Sequence, residues 1–254
     1  MDLDNKVALV TGSSSGVGAA TARLLASKGC RVVINYAHSD AAAAQVASEC
    51  KALGVDTLVC KANVADDDDC RSMVEQTLSK WGQLDALVNN AGTTKFVPHH
   101  QLDGLDKDDF FHLYGVNVVG PYQMTRAAEA ALRASGNASI VNVASIAGVR
   151  GIGSSIAYAA SKGALLTMTK SLARVMGPEV SVNAICPGFI QGEWLEQGMG
   201  PETYKKVKDA LEATAPLKLT CTAQSVAESI VQFIEGHQVV TGQHLILDGG
   251  HYLM

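Results

Sequence analysis

KVALVTGSSSGVG, residues 6–18, decides the fold. Four apolar residues, Val7 to Val10, are too few for a buried helix and read as a short strand. Glycines then recur as G-x-x-x-G-x-G at 12, 16 and 18, and a helical pattern follows over 18–29. A glycine loop between a strand and a helix has a mechanical reading. Gly12 permits a tight turn, Gly16 lets a ligand approach the backbone, and Gly18 lets helix and strand pack closely. The helix then presents free N–H groups to a pyrophosphate. Ser13, Ser14 and Ser15 add hydroxyl donors, with Val17 between the last two glycines. A Gly-Ser turn can also be a plain connection. Its place directly after an N-terminal strand favours the nucleotide reading.

Working outward, strands alternate with helices. Apolar runs at 31–36, 57–64, 84–92, 139–145, 180–188 and 244–250 join the first to make seven strands. Helical patterns fall at 41–54, 66–82, 107–134, 157–176 and 223–236, whereas 193–213 reads as polar and irregular, with room for short helices. Continuous apolar runs indicate strands buried on both faces. The expectation is an α/β fold, a single Rossmann-type doubly wound parallel seven-stranded sheet with helices on both faces. No linker or repeat interrupts it, so 1–254 reads as one cofactor-binding domain. The DDDD run at 66–69 suits a helix start better than a metal site.

Bulk properties narrow the class. The chain has 254 residues, 47% hydrophobic, with net charge −5. No basic block exists, so nucleic acid is not an expected partner. The six cysteines form no C-x-x-C pair and read as reduced thiols. The start MDLDNKVALVTG does not read as a signal peptide, and no apolar run is long enough for a bilayer. A soluble, cytoplasmic protein without a membrane or metal partner is expected.

The stretch AYAASK, 157–162, carries the chemistry. Tyr158 and Lys162 are four apart and share a helix face. A neighbouring ammonium favours the phenolate, so the phenol is expected to fall below its usual pKa. It would then serve as acid for carbonyl reduction and base for alcohol oxidation. Taken singly, Tyr158 could be an interface aromatic, Lys162 a solvated charge, Ser145 a cap and Asn117 a surface residue.

The motifs together resemble the short-chain dehydrogenase/reductase family, in its single-domain branch. TGSSSGVG, NNAG at 89–92, Asn117, Ser145, YAASK at 158–162 and PG at 187–188 stand in the family's order. The resemblance covers the whole chain and implies hydride transfer between nicotinamide and a carbonyl or secondary alcohol. It implies a catalytic set of Asn117, Ser145, Tyr158 and Lys162. Ser145 would hold the substrate oxygen, Lys162 the nicotinamide ribose, and Asn117 a water leading to solvent. Asn63, where the family usually has Asp, would meet the adenine beside Val64. Asn90, Ala91 and Gly92 would lie by the ribose, and Pro187, Gly188 and Ile190 by the nicotinamide. Gly192 stands where the family often has a threonine on the carboxamide, which puts that contact in doubt.

Tyr36 ends the second strand, where an acid would bind the ribose 2′-OH of NAD. Without that carboxylate, with His38, Ser39 and Ser15 able to meet a 2′-phosphate, NADP is favoured over NAD.

Residues 189–219 are expected to cover the substrate, with Trp194, Met199, Tyr204 and Leu211 as apolar contacts. Phe96, His99 and His100 would rim the same pocket or lie in a surface loop. TGQHLILDGG and SLARVM resemble the 3-oxoacyl-carrier-protein reductase branch. That implies a small carbonyl or alcohol substrate, an acyl thioester among the candidates, with Arg174 and Arg133 meeting an acidic carrier. Relatives in the family are usually homotetramers, and the 157–176 helix and the 244–254 tail would suit subunit pairing. The contrasting readings are a nucleotide-binding sensor or scaffold without turnover, and an epimerase or dehydratase of the longer related branch.

Overall fold

Parallel pairing of seven strands organises the computed structural model, which describes residues 1–236 and 239–254. The strands are β1 (Val7–Val10), β2 (Arg31–Tyr36), β3 (Thr57–Lys61), β4 (Ala86–Asn89), β5 (Ala138–Val143), β6 (Val180–Pro187) and β7 (His244–Leu247). Their order is β3-β2-β1-β4-β5-β6-β7. The chain winds outward from β1 to β3, then returns to place β4 against β1, with Ala8 opposite Ala86. The direction reverses between β1 and β4. Crevices at the carboxyl ends of strands open at such a reversal.

Both sheet faces are buried because the strand residues are apolar on both sides. Ala8 and Val10 face one core cluster, built with α1 (Gly16–Ala26), α2 (Asp40–Ala52) and, beyond β6, α10 (Ala223–Gly236). Val7 and Leu9 face the other, with α3 (Asp67–Trp81) and α5 (Gly120–Ser135). All six cysteines are free and buried. Burial pushes the thiols of Cys30 and Cys70 up to about 12. The acidic run is a helix start, as read: Asp66 caps α3 by accepting from the Asp69 N–H at 3.1 Å. Gly82, at φ 70°, ends that helix.

Several expectations need correction. The stretch 107–134 is not one uniform helix. α4 (Lys107–Tyr114) leads into a π-helical turn, Gly115–Val119, before α5. Pro121 supplies the reason. It has no N–H to donate to the carbonyl of Asn117 four residues back, so the ladder is broken there. Residues 193–213 are more regular than expected: the short helix allowed there is α8 (Glu193–Met199), and a longer one, α9 (Pro201–Thr214), follows it. The signal was Tyr204, Val207 and Leu211 at helical spacing. Strands at 57–64, 84–92 and 244–250 stop earlier than their apolar runs, at Lys61, Asn89 and Leu247. The residues left over form loops at the cleft.

Candidate active site

A cleft of about 1680 Å³ opens along the carboxyl ends of the strands. Its first half is the glycine loop. Gly12 sits at φ 61° and its N–H donates to Asn35 Oδ1 at 2.9 Å. Asn35 Nδ2 in turn donates to the Ala62 carbonyl at 3.0 Å, so one buried side chain joins the β1 loop to the end of β3. From β4, Asn90 Nδ2 donates to the Thr11 and Gly12 carbonyls, at 2.9 and 3.0 Å. Thr11 Oγ1 accepts from the N–H groups of both Asn90 and Ala91 at 3.0 Å. Asn35 is missed in the sequence, and Thr11 shows there only as the start of the glycine motif, without this role. Their signal is a polar residue closing an otherwise apolar strand.

Gly18 lies against the Gly12 carbonyl and Asn90, where a Cβ would collide, so its packing role holds. Gly16, at φ 54°, has open space where a Cβ would be, and it lines the cleft with Ser14, Ser15 and Val17. Ser15, the residue before α1, uses no side-chain bond to cap that helix. The first N–H groups of α1 therefore face the cleft beside a hydroxyl, and these residues fit the pyrophosphate of a dinucleotide.

Four expected contacts lie elsewhere. Ser13 is fully buried, with Oγ donating to the Val10 carbonyl at 2.7 Å and accepting from Asn35 N–H at 2.9 Å. It shapes the loop from behind. Gly18 likewise stands behind the cleft wall. Tyr36 packs against the core cluster, and Ala37, His38 and Ser39 line the cleft in its place. Period-two alternation of a strand turns residue 36 away from the side that residue 37 faces. Asn63 and Val64 do line the cleft, although Asn63 Oδ1 already accepts from Ala65 N–H at 3.1 Å. Val64 abuts Gly120, where a Cβ would lie 2.8 Å from Val64 Cγ2. Asn117, the fourth, does not reach the cleft surface.

The second half of the cleft gathers Ser145, Tyr158 and Lys162 on one wall. Ser145 leaves β5 and caps α6 (Ile146–Arg150), its Oγ accepting from Ala147 N–H at 3.1 Å. Tyr158 lies in the first turn of α7 (Ile156–Met176), beneath the Ser155 cap. Gly148 brings the two helices together: a Cβ there would meet the Lys162 backbone at 2.5 Å. Asn117 is fully buried beside this wall. Its Oδ1 accepts from Thr93 N–H at 2.8 Å and its Nδ2 donates to Ser161 Oγ at 3.0 Å. A Cβ on Gly92 would lie 3.4 Å from both Asn117 Oδ1 and Lys162 Nζ, so Gly92 is the space between them.

The electrostatics differ from expectation. Lys162 Nζ donates to the Val143 carbonyl at 2.8 Å and stands 5.8 Å from the centre of the Tyr158 ring. Burial pushes the Tyr158 phenol up to about 12, a hydrogen bond to Ser145 drawing it partly back. Burial likewise pulls the Lys162 ammonium down to about 8. The phenol is thus not made acidic by its lysine neighbour here. Burial dominates the phenol, while the ammonium is committed to the Val143 carbonyl.

Pro187, Gly188 and Ile190 line the cleft floor at the end of β6. Gly192 stands at φ 147°, a conformation that side chains rarely adopt, which accounts for glycine in the threonine's place. Trp194, Met199 and Leu211 line the cleft, but Tyr204 does not. Its hydroxyl accepts from Gly192 N–H at 3.1 Å and its ring packs on Phe189. Phe96 also lines the cleft, whereas His99 and His100 do not. Arg133 is already engaged. It donates to Glu179 at 2.8 Å and to the Val175 carbonyl at 2.6 Å, closing the end of α7. Arg174 is exposed, with no ion pair among the described residues.

Comparison with known proteins agrees with this geometry. A family model described as enoyl-(acyl carrier protein) reductase matches residues 12–252. A granaticin polyketide synthase ketoacyl reductase of Streptomyces violaceoruber is 40% identical, over 98% of this chain and 96% of its own. The 3-oxoacyl-[acyl-carrier-protein] reductase of Staphylococcus aureus is 32% identical, over 98% of each chain. Among solved structures, a short-chain dehydrogenase/reductase from Burkholderia xenovorans superposes with TM-score 0.91 at 40% identity, covering 98% of this chain and 99% of its own. NAD+-bound xylitol dehydrogenase gives 0.89 at 25% identity, covering 98% and 100%. Matched along nearly its whole length, and with the family's motifs in order around one cleft, this chain belongs to the short-chain dehydrogenase/reductase family and is an NAD(P)-dependent oxidoreductase acting on CH–OH and C=O groups.

Proposed function

We propose that this protein reduces the ketone of a 3-oxoacyl thioester, with NADPH as its preferred cofactor. The observation that carries the reading is the convergence of Ser145, Tyr158 and Lys162 on the cleft wall facing the glycine loop. Bound NADPH supplies the hydride. Ser145 Oγ holds the substrate oxygen, and the Tyr158 phenol delivers a proton to that oxygen as negative charge develops. Lys162 holds the cofactor ribose and keeps positive charge close to the departing proton. The carbonyl of Asn117, left without an α-helical partner by Pro121, is the natural acceptor for a water that refills the proton. Asn63, Val64, Asn90, Ala91 and Gly92 line the adenine and ribose stretch, and Pro187, Gly188 and Ile190 the nicotinamide end.

NADPH is favoured over NADH because Ala37, His38 and Ser39 line the ribose end without a carboxylate. The thioester is favoured because two relatives of nearly full coverage carry ketoacyl reductase names. Residues 1–254 act as one cofactor-binding domain, with 189–219 covering the substrate. Phe111 of α4, Val119 of the π-helical turn and Tyr122 of α5 remain exposed, an apolar strip that supports the subunit contacts of a homotetramer. Six unpaired thiols suit the cytoplasm. No helix among the described residues is long and apolar enough to cross a membrane.

The test is NADPH consumption with a 3-oxoacyl thioester, against NADH and against a sugar alcohol panel with NAD(P)+. Thioester-dependent NADPH oxidation is expected. Cofactor binding without turnover of any substrate would favour the sensor reading instead.

A further inference from the structure

α8 is a seven-residue helix with no buried residue, flanked by Gly192 at φ 147° and Gly200 at φ 81°. What seats it on the cleft is aromatic packing. The Phe96 ring, from the loop after β4, lies where a Cβ of Gly198 would be. Any side chain at 198 would displace that ring. Phe96 then meets Trp194 edge-on, with ring centres 6.1 Å apart and planes at 62°. Trp194 in turn lies 6.5 Å from the Tyr158 ring, at 57°. It stays 52% exposed while lining the cleft, so much of its surface is bare beside the phenol. Met199, Val207 and Leu211 continue the same wall.

We infer that Trp194 determines substrate choice, selecting carbonyl compounds whose substituent next to the ketone is aromatic, with Phe96 and Gly198 as its positioning residues. The inference rests on the proposed reduction of a 3-oxo compound and deepens it. A flat apolar group packs against a bare indole with favourable offset or edge geometry. A polyhydroxylated substituent placed there gains nothing from the indole face, so the ring gives sugars no matching advantage. The two glycines permit the turns at either end of α8 but do not hold them, so it is Phe96 filling the gap at Gly198 that sets the aim of Trp194.

The experiment compares ethyl benzoylacetate with ethyl acetoacetate as probes, using the full-length enzyme and NADPH. The wild type is expected to favour the phenyl ester. Trp194→Ala should lower the phenyl-to-methyl ratio of kcat/KM about tenfold, mostly through KM, and Trp194→Phe should keep most of it. Gly198→Ala should lower the ratio in the same direction, and in a Phe96→Ala background it should add nothing, since the obstructed ring is gone. A second readout needs no turnover. Trp81 and Trp194 are the two tryptophans, so in a Trp81→Phe variant the phenyl ester should quench the remaining indole. An unchanged ratio in Trp194→Ala, or equal losses for both esters, overturns the inference while the reduction reading stands. If neither ester nor the 3-oxoacyl thioester is reduced, yet the phenyl ester still quenches Trp194 and Gly198→Ala weakens that binding, the reduction reading falls and the aromatic site stands.

Discussion

The two halves of the cleft are built differently. On the cofactor side, the loop after β1 is tied from behind by buried Asn35, by Ser13 and by Asn90, each with distances near 3 Å. The strands beneath it are fully buried. On the substrate side, α8 and α9 contain no buried residue and rest on ring contacts with Phe96, Phe189 and Tyr158. The first half holds a ligand that is always the same. The second can change its wall without touching the sheet. Between them stands the wall of Ser145, Tyr158 and Lys162, which must face both.

The largest effect belongs to that shared wall. Tyr158→Phe removes the proton donor and is expected to lower kcat by roughly 10²–10⁴-fold, with cofactor affinity nearly unchanged. Stopped turnover and fluorescence titration with NADPH measure the two quantities. A variant that keeps most of its activity would remove Tyr158 from the mechanism. The contrast in rigidity has its own test. Leu9, fully buried in β1, should lose about 2–5 kcal/mol on substitution by alanine. Leu211→Ala in half-buried α9 should lose under about 1 kcal/mol. Equal losses in urea unfolding would mean that the substrate side is as firmly built as the sheet, and the comparison would be broken.

What the sequence made legible follows the same division. Where backbone geometry dictates the residue, the reading was close: Gly12 at positive φ, Gly18 against a carbonyl, and seven apolar runs that became seven parallel strands. Asn35, which holds the loop from behind, carries no motif, and Thr11 opens the glycine motif without showing that it clamps the loop. A strand that ends in a polar residue looks the same whether or not it clamps a loop. Tyr36 was placed on the cleft by counting residues, but pleating gives that role to Ala37. A specificity test therefore belongs at 37. Ala37→Asp puts a carboxylate where a 2′-phosphate would lie, and should shift the NADPH-to-NADH ratio of kcat/KM toward NADH by roughly tenfold, about 1.4 kcal/mol. Tyr36→Asp should instead destabilise the fold, and a reversed pattern would return residue 36 to the cleft. The helices over 193–213 were obscured by charge, since an amphipathic helix on a lid buries too little to show a long apolar run.

The last prediction concerns Lys162, where function and stability oppose one another. Its ammonium falls to about 8 in the folded chain, from 10.5 as a free side chain. Between those values the unfolded chain binds more protons, so this group makes stability rise with pH from about 8 to 10.5. Below pH 8 the folded protein bears the whole penalty, about 3 kcal/mol at roughly 1.4 per pH unit. Lys162→Met removes it but leaves the Val143 carbonyl unpaired, which takes back about 1–2 kcal/mol. The variant should therefore be inactive, and its stability relative to wild type should be greatest at pH 7 and fall toward pH 10. Above pH 9 the raised thiols and Tyr158 pull stability down in both proteins, because the unfolded chain then releases protons first. The quantity to measure is accordingly the difference between wild type and variant in urea unfolding, at pH 7 and at pH 9. A constant difference would show that the lysine is solvated, and that its bond to Val143 is not what holds it at the wall.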